Sequence, residues 1–167
     1  TSCYQAEQFC ILKPWNSVFS KLSSIIMEEK MEIPSVWSSI INLVFPTFLS
    51  DLSYNEATGV KTIDNFNFQR VEEAVIGVFD RICRYKKMVL VFEDIHWIDH
   101  RSLSLLKSVM LSKNKNLILI GTCRNEFTKE LDDFICSLVK YDLLEKIVLN
   151  RFNKTEVTEI LHSALPH

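Results

Sequence analysis

The sequence predicts an α/β fold in which helices flank a parallel sheet. Two short apolar runs, MVLVF at 88–92 and LILIGT at 117–122, are typical of strands that are buried on both faces. Helical patterns alternate with these runs, and the short links between them favour right-handed crossovers. A further run, KIVL at 146–149, is predicted to be a third strand of the same sheet. The 167 residues are enough for one domain with its own core.

The helices are predicted from apolar residues that recur with a period near 3.6. Asn16 is predicted to cap the first helix and Asp99 the helix that follows the first strand. Asn153 and Glu156 have the spacing of a capping box at the start of the last helix. Residues 50–65 are polar and predict a loop. The predicted helices span 16–28, 35–45, 66–85, 100–113 and 127–140, with the last one starting at Asn153.

Composition and charge exclude several classes of protein. The net charge of −2 argues against broad binding to a nucleic-acid backbone, which needs clustered Lys and Arg. No apolar run has the length that spans a bilayer. The five cysteines contain no Cys-x-x-Cys pair, which favours reduced, mostly buried thiols over a zinc site or a disulfide framework. We therefore expect a cytoplasmic protein.

Charged and polar residues follow the first two predicted strands. Glu93 and Asp94 come directly after 88–92, and Thr122 and Arg124 end the next run. Because the carboxyl ends of parallel strands share one edge, where ligands bind in such sheets, these side chains should gather there. Paired carboxylates suit Mg²⁺ that carries nucleotide phosphates, and an Arg suits a terminal phosphate.

Each of these residues also has an ordinary structural interpretation. Acids often follow a strand simply because they open a loop and cap the next helix, so Glu93 and Asp94 alone would favour that explanation. Arg124 alone would more often be a surface ion-pair partner, for example of Glu126. His96 is more often a structural histidine than a catalytic one. The two strand ends together favour the functional interpretation.

Two stretches, VLVFEDIHWIDHRSLSLL at 89–106 and LILIGTCR at 117–124, carry a family likeness. They resemble the second half of the nucleotide-binding domain in P-loop signal-transduction ATPases, the STAND relatives of AAA-type ATPases. Such modules occur in large bacterial transcriptional activators and in regulators linked to cyclase or kinase domains. Looser likeness is found in CYQAEQFCILKPWNSVF, VFPTFLSDL and RFNKTEVTEIL. The resemblance implies a partial P-loop NTPase-like three-layer fold. Residues 1–150 would form its incomplete core, and residues 151–167 would begin a helical region.

The resemblance also implies roles for individual residues. Glu93 matches the Walker B acid that coordinates Mg²⁺, although Asp is commoner there. Asp94 matches the second acid, which lies at the metal and is catalytic, and Arg124 matches the sensor arginine near the terminal phosphate. Apart from the resemblance, the position of Thr122 at the same strand tip as Arg124 predicts that it contacts the nucleotide. The implied cofactors are therefore Mg²⁺ and ATP.

One element of that family is missing from the sequence. The chain has only three glycines and no G-x-x-x-x-G-K-[ST] loop. We expect the C-terminal part of an ATP-binding and ATP-hydrolysing switch domain in a multidomain signalling or transcriptional regulator. That domain would be an ATPase in the parent protein, whereas this chain alone would be inactive.

The expected partners are Mg-ATP and the flanking domains of the same polypeptide, without membrane or nucleic-acid contact. Without the strand of the missing loop, 117–122 would keep an unpaired edge. The chain would then be marginally stable, self-associate, or move 146–149 into the gap.

Two other functions stay open from the sequence. The fold could be a pseudo-ATPase, a nucleotide-free scaffold for protein–protein interaction. A more distant alternative is a metal-dependent hydrolase built on Glu93, Asp94, His96 and Asp99. Upstream sequence with a glycine-rich loop ending in Lys-Ser or Lys-Thr would favour the ATPase over the scaffold.

Overall fold

The fold is mixed α/β. The computed structural model describes residues 1–49, 65–124 and 128–164. The predicted loop at 50–65 lies outside the described residues, except for residue 65. The elements in chain order are α1 (Trp15–Glu28), α2 (Ser35–Asn42), α3 (Asn65–Cys83), β1 (Met88–Phe92), α4 (His100–Leu111), β2 (Leu117–Gly121), α5 (Lys129–Lys140) and α6 (Lys154–Ala164).

The sheet consists of β1 and β2 in parallel, as their apolar composition predicted. The register pairs Met88 with Leu117 and Phe92 with Gly121, so the two strands end level with each other. Asn116 fixes their start, because its side-chain amide donates to the Cys83 carbonyl at 2.7 Å while its own carbonyl accepts from the Met88 N–H at 2.8 Å. The strand ends therefore share one edge of the sheet.

Residues 1–3 extend alongside the other edge of β1. The Glu93 N–H donates to the Thr1 carbonyl at 2.9 Å, and the Cys3 N–H donates to the Glu93 carbonyl at 2.9 Å. Ser2 and Glu93 form a parallel bridge. Residues 1–3 therefore add a third parallel segment to the sheet, on the side of β1 away from β2. The sequence did not predict this pairing.

Two of the predicted helix caps are confirmed and one is wrong. The Asp99 side chain accepts from the Ser102 N–H at the start of α4. At the start of α6, the Asn153 side chain accepts from the Glu156 N–H at 3.0 Å, and Glu156 accepts from the Asn153 N–H at 2.7 Å. Asn16 is not a cap, because α1 starts one residue earlier, with Pro14 in the capping position. Proline fixes φ near the helical value, so the helix can begin directly after it.

Aromatic side chains form the centre of the core. Trp15 is fully buried and lies edge-on to Phe92 of β1, with ring centroids 5.5 Å apart. Its indole N–H donates to the Ser102 carbonyl in α4 at 3.1 Å. Phe19 stacks on Phe45 with a centroid distance of 4.1 Å. One buried residue of α1 therefore joins the sheet to α4.

Only one face of the sheet is buried, so the prediction of strands buried on both faces is wrong. Leu90 and Phe92 point into the core, but the alternate residues point to solvent. The described helices leave the second face uncovered, which is why apolar composition alone misled the prediction. Four side chains on this face are 42–55% exposed: Val89, Val91, Ile118 and Ile120.

The predicted third strand at 146–149 is not formed, because this segment has no strand partner among the residues that the structure describes. Ile147 and Leu149 are 79% and 88% exposed. The segment has also not moved into the gap beside β2. Three apolar side chains of α6, Val157, Ile160 and Leu161, are exposed as well. Strand propensity without a neighbouring edge did not suffice here.

The cysteines are free thiols, but the prediction that most are buried is wrong. Cys3 and Cys83 are buried, whereas Cys10, Cys123 and Cys136 are exposed. A small thiol costs little to expose, so composition alone does not fix its location. Within the described ranges, no helix is both long and apolar enough to cross a membrane.

Candidate functional site

The tip of β1 turns sharply at Asp94. Asp94 has φ 54° and ψ 43°, in the left-handed region, and a single 3-10 turn at Ile95–Trp97 follows it. Thr122, just after β2, holds this turn by two bonds. Its hydroxyl accepts from the Asp94 N–H at 3.1 Å, and its carbonyl accepts from the Ile95 N–H at 2.9 Å. The two strand tips are therefore hydrogen-bonded to each other, as the sequence predicted from their parallel order.

The Glu93 carboxylate is held from the other side of β1. Its Oε2 atom accepts from the Ser2 hydroxyl at 2.6 Å, and its backbone pairs with residues 1 and 3. The two adjacent acids therefore have different environments: Glu93 is bonded to the chain start, whereas Asp94 lies beside the tip of β2. Sequence reasoning missed Ser2, because nothing in the sequence pairs residue 2 with residue 93.

His96 is a buried side chain that lies near the tips of both strands. Its side chain is only 5% exposed, and its Nδ1 atom lies 3.9 Å from Oδ1 of Asp94. The Arg124 N–H points to the same Nδ1 atom at 3.5 Å, and the ring lies against Trp97 with centroids 4.9 Å apart. Its Nε2 atom is buried, with no partner in the described part of the chain. The burial of the ring and its packing on Trp97 fit the structural interpretation of His96, whereas the unpartnered Nε2 atom does not.

Thr122 and Arg124 are exposed at the end of β2. Among the described residues, the Arg124 side chain forms no ion pair. The alternative partner Glu126 lies outside the described residues, so that pairing stays a prediction. The Thr122 hydroxyl, which was predicted to contact the nucleotide, accepts a hydrogen bond from the Asp94 N–H and keeps its own O–H as a donor.

Asp99 is bonded to the start of α4 and to the N-terminal segment. It is buried, and its Oδ1 atom accepts from the Ser102 N–H at 2.9 Å and from the Leu12 N–H at 3.2 Å. Across the described ranges, no group of three His, Cys, Asp or Glu side chains is placed to hold a metal ion. The hydrolase alternative is therefore wrong in its geometry, since Asp99 is occupied with capping α4 and holding the N-terminal segment.

The donor set at this edge fits one kind of magnesium site. Mg²⁺ in nucleotide sites takes one or two carboxylates, with phosphate and water oxygens completing its shell. Glu93 and Asp94 are two exposed carboxylates at a strand end, which is the number and kind of protein ligand that such a site uses. They do not amount to a cage that would hold the ion without a phosphate ligand.

The Cys3 thiol is buried near Asp94 and Asp99 and is not a nucleophile. Burial, and after it the nearby carboxylates of Asp99 and Asp94, raise the pKa of Cys3 to about 11. The thiol is therefore protonated at neutral pH, and only a thiolate attacks efficiently. Cys3 serves as a small buried side chain beneath the acids.

No protein-family model, characterised protein or solved structure matches the chain.

Proposed function

We propose that the chain supplies the acidic and sensor side of an ATP-binding and ATP-hydrolysing switch domain in a multidomain signalling or transcriptional regulator. One observation carries the proposal. The parallel ends of β1 and β2 are tied together, so that the Glu93–Asp94 pair and the Thr122–Arg124 tip lie on one edge of the sheet. Ligands bind beyond the carboxyl ends of strands in sheets of this kind.

Glu93 is suited to hold a hydrated Mg²⁺. The Ser2 hydroxyl donates to one carboxylate oxygen and so orients the group. A carboxylate has two oxygens with about four acceptor positions, so the bond from Ser2 leaves room for metal-bound water. The longer side chain of Glu, compared with Asp, agrees with a water-mediated contact.

Asp94 is suited to orient or deprotonate a water molecule. Its carboxylate is 55% exposed, so a water molecule can reach it from the open edge. Its backbone is fixed at both the N–H and the following residue, which restricts where the carboxylate can lie. A general base must be held within hydrogen-bond reach of the water that it activates.

Arg124 would neutralise charge on a terminal phosphate. It follows Thr122 by two residues on the exposed tip of β2. A guanidinium is always charged and binds phosphate oxygens through two parallel N–H bonds. The loop that cradles the other phosphates would come from sequence outside these 167 residues, since the chain contains none. The nucleotide state would then set the arrangement of the flanking domains.

A scaffold without nucleotide is the second candidate, and a different observation favours it. In the described residues, β2 pairs on one edge only, and the apolar side chains of Val91 on β1 and Ile120 on β2 are exposed on the open face of the sheet. A free edge next to an apolar face can accept an extended segment of a partner by strand addition. In that case the acids would serve only to keep the strand ends soluble.

The decisive experiment compares acid variants in the full-length protein. Glu93→Gln and Asp94→Asn should each lower the rate of ATP hydrolysis by about 10²-fold or more, because each removes a charge that acts in the transition state. Arg124→Ala should leave nucleotide binding largely intact but uncouple it from the switch. Asp132→Asn is the matched control, since Asp132 is an exposed acid in a helix, α5, and does not follow a strand.

The results separate the two candidates. If Glu93→Gln and Asp94→Asn hydrolyse ATP as fast as the Asp132→Asn control, the ATPase proposal fails. If the unaltered full-length protein neither binds nor hydrolyses ATP, the scaffold is favoured. The 167-residue chain by itself should show no ATPase activity, and hydrolysis of Mg-ATP by the chain alone would contradict its assignment as one side of the site.

A further inference from the structure

The backbone of Asp94 adopts a conformation that is unfavourable for a residue with a Cβ atom. Left-handed φ and ψ values are natural for glycine and tolerated by Asp and Asn, but they are seldom found without a local cause. Asp94 has φ 54° between a strand and a 3-10 turn. By contrast, Lys30, Lys113 and Asp142, which also have positive φ, each lie two residues beyond the end of a helix. The conformation of Asp94 therefore needs a cause of its own.

Thr122 supplies that cause through three hydrogen bonds around the turn. Its N–H donates to the Phe92 carbonyl at 3.0 Å, and its carbonyl accepts from the Ile95 N–H at 2.9 Å. Any residue except proline could form those two backbone bonds. The third bond, from the Asp94 N–H to the Thr122 hydroxyl at 3.1 Å, needs a side-chain oxygen at position 122.

We propose that Thr122 is a positioning residue whose hydroxyl fixes the left-handed backbone of Asp94, so that movement of the β2 tip is transmitted to the Asp94 carboxylate. This inference rests on the proposed function for its regulatory meaning. It changes the predicted role of Thr122 from contact with the nucleotide to control of the second acid.

Only a short stretch of backbone separates Arg124 from Thr122, so a movement of one would reach the other. Arg124 lies two residues after Thr122, and its N–H points to Nδ1 of the buried His96 at 3.5 Å. The β2 tip therefore touches the turn after β1 at both Asp94 and His96. A ligand that draws Arg124 toward itself would displace Thr122, and with it the amide that sets the direction of the Asp94 side chain.

The test uses three substitutions that separate the hydroxyl from the shape of the side chain. Thr122→Val keeps the branched shape and removes the hydroxyl, while Thr122→Ser keeps the hydroxyl. Thr122→Ala also removes the hydroxyl and serves if the valine variant folds poorly. The readout in the 167-residue chain is the NMR conformation of Asp94, from its Cα and Cβ shifts and its HN–Hα coupling, together with the exchange rate of its amide.

We expect Thr122→Val and Thr122→Ala to move the Asp94 signals out of the left-handed range. They should also speed exchange of its amide about fivefold, the factor that loss of one ordinary hydrogen bond gives. Thr122→Ser should restore the unaltered signals, and the amide of Leu105 in the core should not change in any variant. Unchanged Asp94 signals in Thr122→Val would overturn the proposal, and so would a serine variant that behaves like valine.

Kinetics of the full-length protein test the regulatory part. Thr122→Val should lower kcat for ATP hydrolysis and leave KM within about twofold, because it misplaces a catalytic group without removing a binding contact. A rise in KM at constant kcat would instead mean that Thr122 binds the nucleotide, and would overturn the proposal. Absence of hydrolysis in the unaltered protein would refute the proposed function alone, because the NMR comparison needs no nucleotide.

Discussion

Gly77 of α3 lies against the indole ring of Trp37 in α2. A Cβ atom at position 77 would come within 2.7 Å of the Cη2 and Cζ2 atoms of that ring. Glycine in the middle of a helix normally costs about 1 kcal/mol relative to alanine. Here it allows the two helices to approach, so the loss of helix propensity is offset by packing of the indole.

We therefore expect Gly77→Ala to destabilise the protein by about 1 kcal/mol. The clash should cost about 2 kcal/mol, typical of an overpacked contact, and the gain in helix propensity should return about half of that. The measurement is the free energy of unfolding in urea. In a Trp37→Leu background the clash is absent, so the same substitution should become stabilising. An equal effect in both backgrounds would show that the indole is not the cause.

We expect Asp99 to contribute more to stability than an ordinary helix cap. It caps α4 and also accepts from the buried N–H of Leu12, a residue held at φ 60°. Asp99→Ala should cost about 3 kcal/mol, the sum of a lost cap and an unsatisfied buried donor. The matched control is Thr128→Ala, because Thr128 caps α5 through Leu131 alone and should cost about 1 kcal/mol. Equal losses in urea unfolding would mean that the Leu12 bond contributes nothing.

Local signals in the sequence predicted the elements that local interactions determine. The cap at Asp99 and the capping box at Asn153 and Glu156 depend on residues within three positions of each other, and both are present. The strands β1 and β2 were also found, because a helix of suitable length connects two apolar runs. Their parallel pairing brought Asp94 and Thr122 together as expected.

The errors have one physical cause: the local sequence pattern does not show which other elements a segment packs against. The run at 146–149 has strand propensity but no neighbouring edge, and it lies in solvent. Val89 and Val91 have the composition of core residues, but no described helix covers their face of the sheet, and both are exposed. The bond between Ser2 and Glu93 joins residues 91 positions apart, and no periodicity predicts it.

Lys30 should be a favourable position for glycine. It follows α1 with φ 50°, and the Met31 N–H bonds back to the Ile26 carbonyl at 2.9 Å, as in a helix end that normally carries glycine. Lys30→Gly should raise the free energy of unfolding by roughly 0.5 kcal/mol, since relief of left-handed strain exceeds the entropy cost of glycine. Lys21→Gly, at an exposed position inside α1, is the control and should lower it by about 1 kcal/mol. Destabilisation by both substitutions would contradict the assigned conformation.

Two buried thiols predict a loss of stability at high pH. Burial raises the pKa of Cys3 and of Cys83 to about 11, from an ordinary value of 9.0. Below pH 9 both thiols are protonated in the folded and the unfolded chain, so they add no pH dependence. Between about pH 9 and pH 11 the unfolded chain loses these protons first, and the free energy of unfolding should fall as the pH rises.

The check is urea unfolding of the unaltered chain and of a Cys3→Val, Cys83→Val variant at several pH values from 8 to 11. All other groups are common to the two proteins, so the difference between their curves isolates the two thiols. The variant should lose less stability than the unaltered chain across that interval. Parallel curves would mean that the thiols are not the titrating groups.

The exposed side of the sheet should make the isolated chain self-associate. Ile118 and Ile120 lie on β2, whose second edge has no strand partner within the described ranges, and Val89 and Val91 continue the same apolar face. A strand with an open edge and no charged residue is prone to pair with another copy.

Ile118→Lys should shift the chain toward monomer in sedimentation experiments, because a charge on that face opposes close approach. Leu149→Lys is the control, since Leu149 is also exposed but lies outside the sheet. A stable monomer for the unaltered chain at high concentration would contradict the prediction, and an equal effect of Leu149→Lys would place the contact outside the sheet.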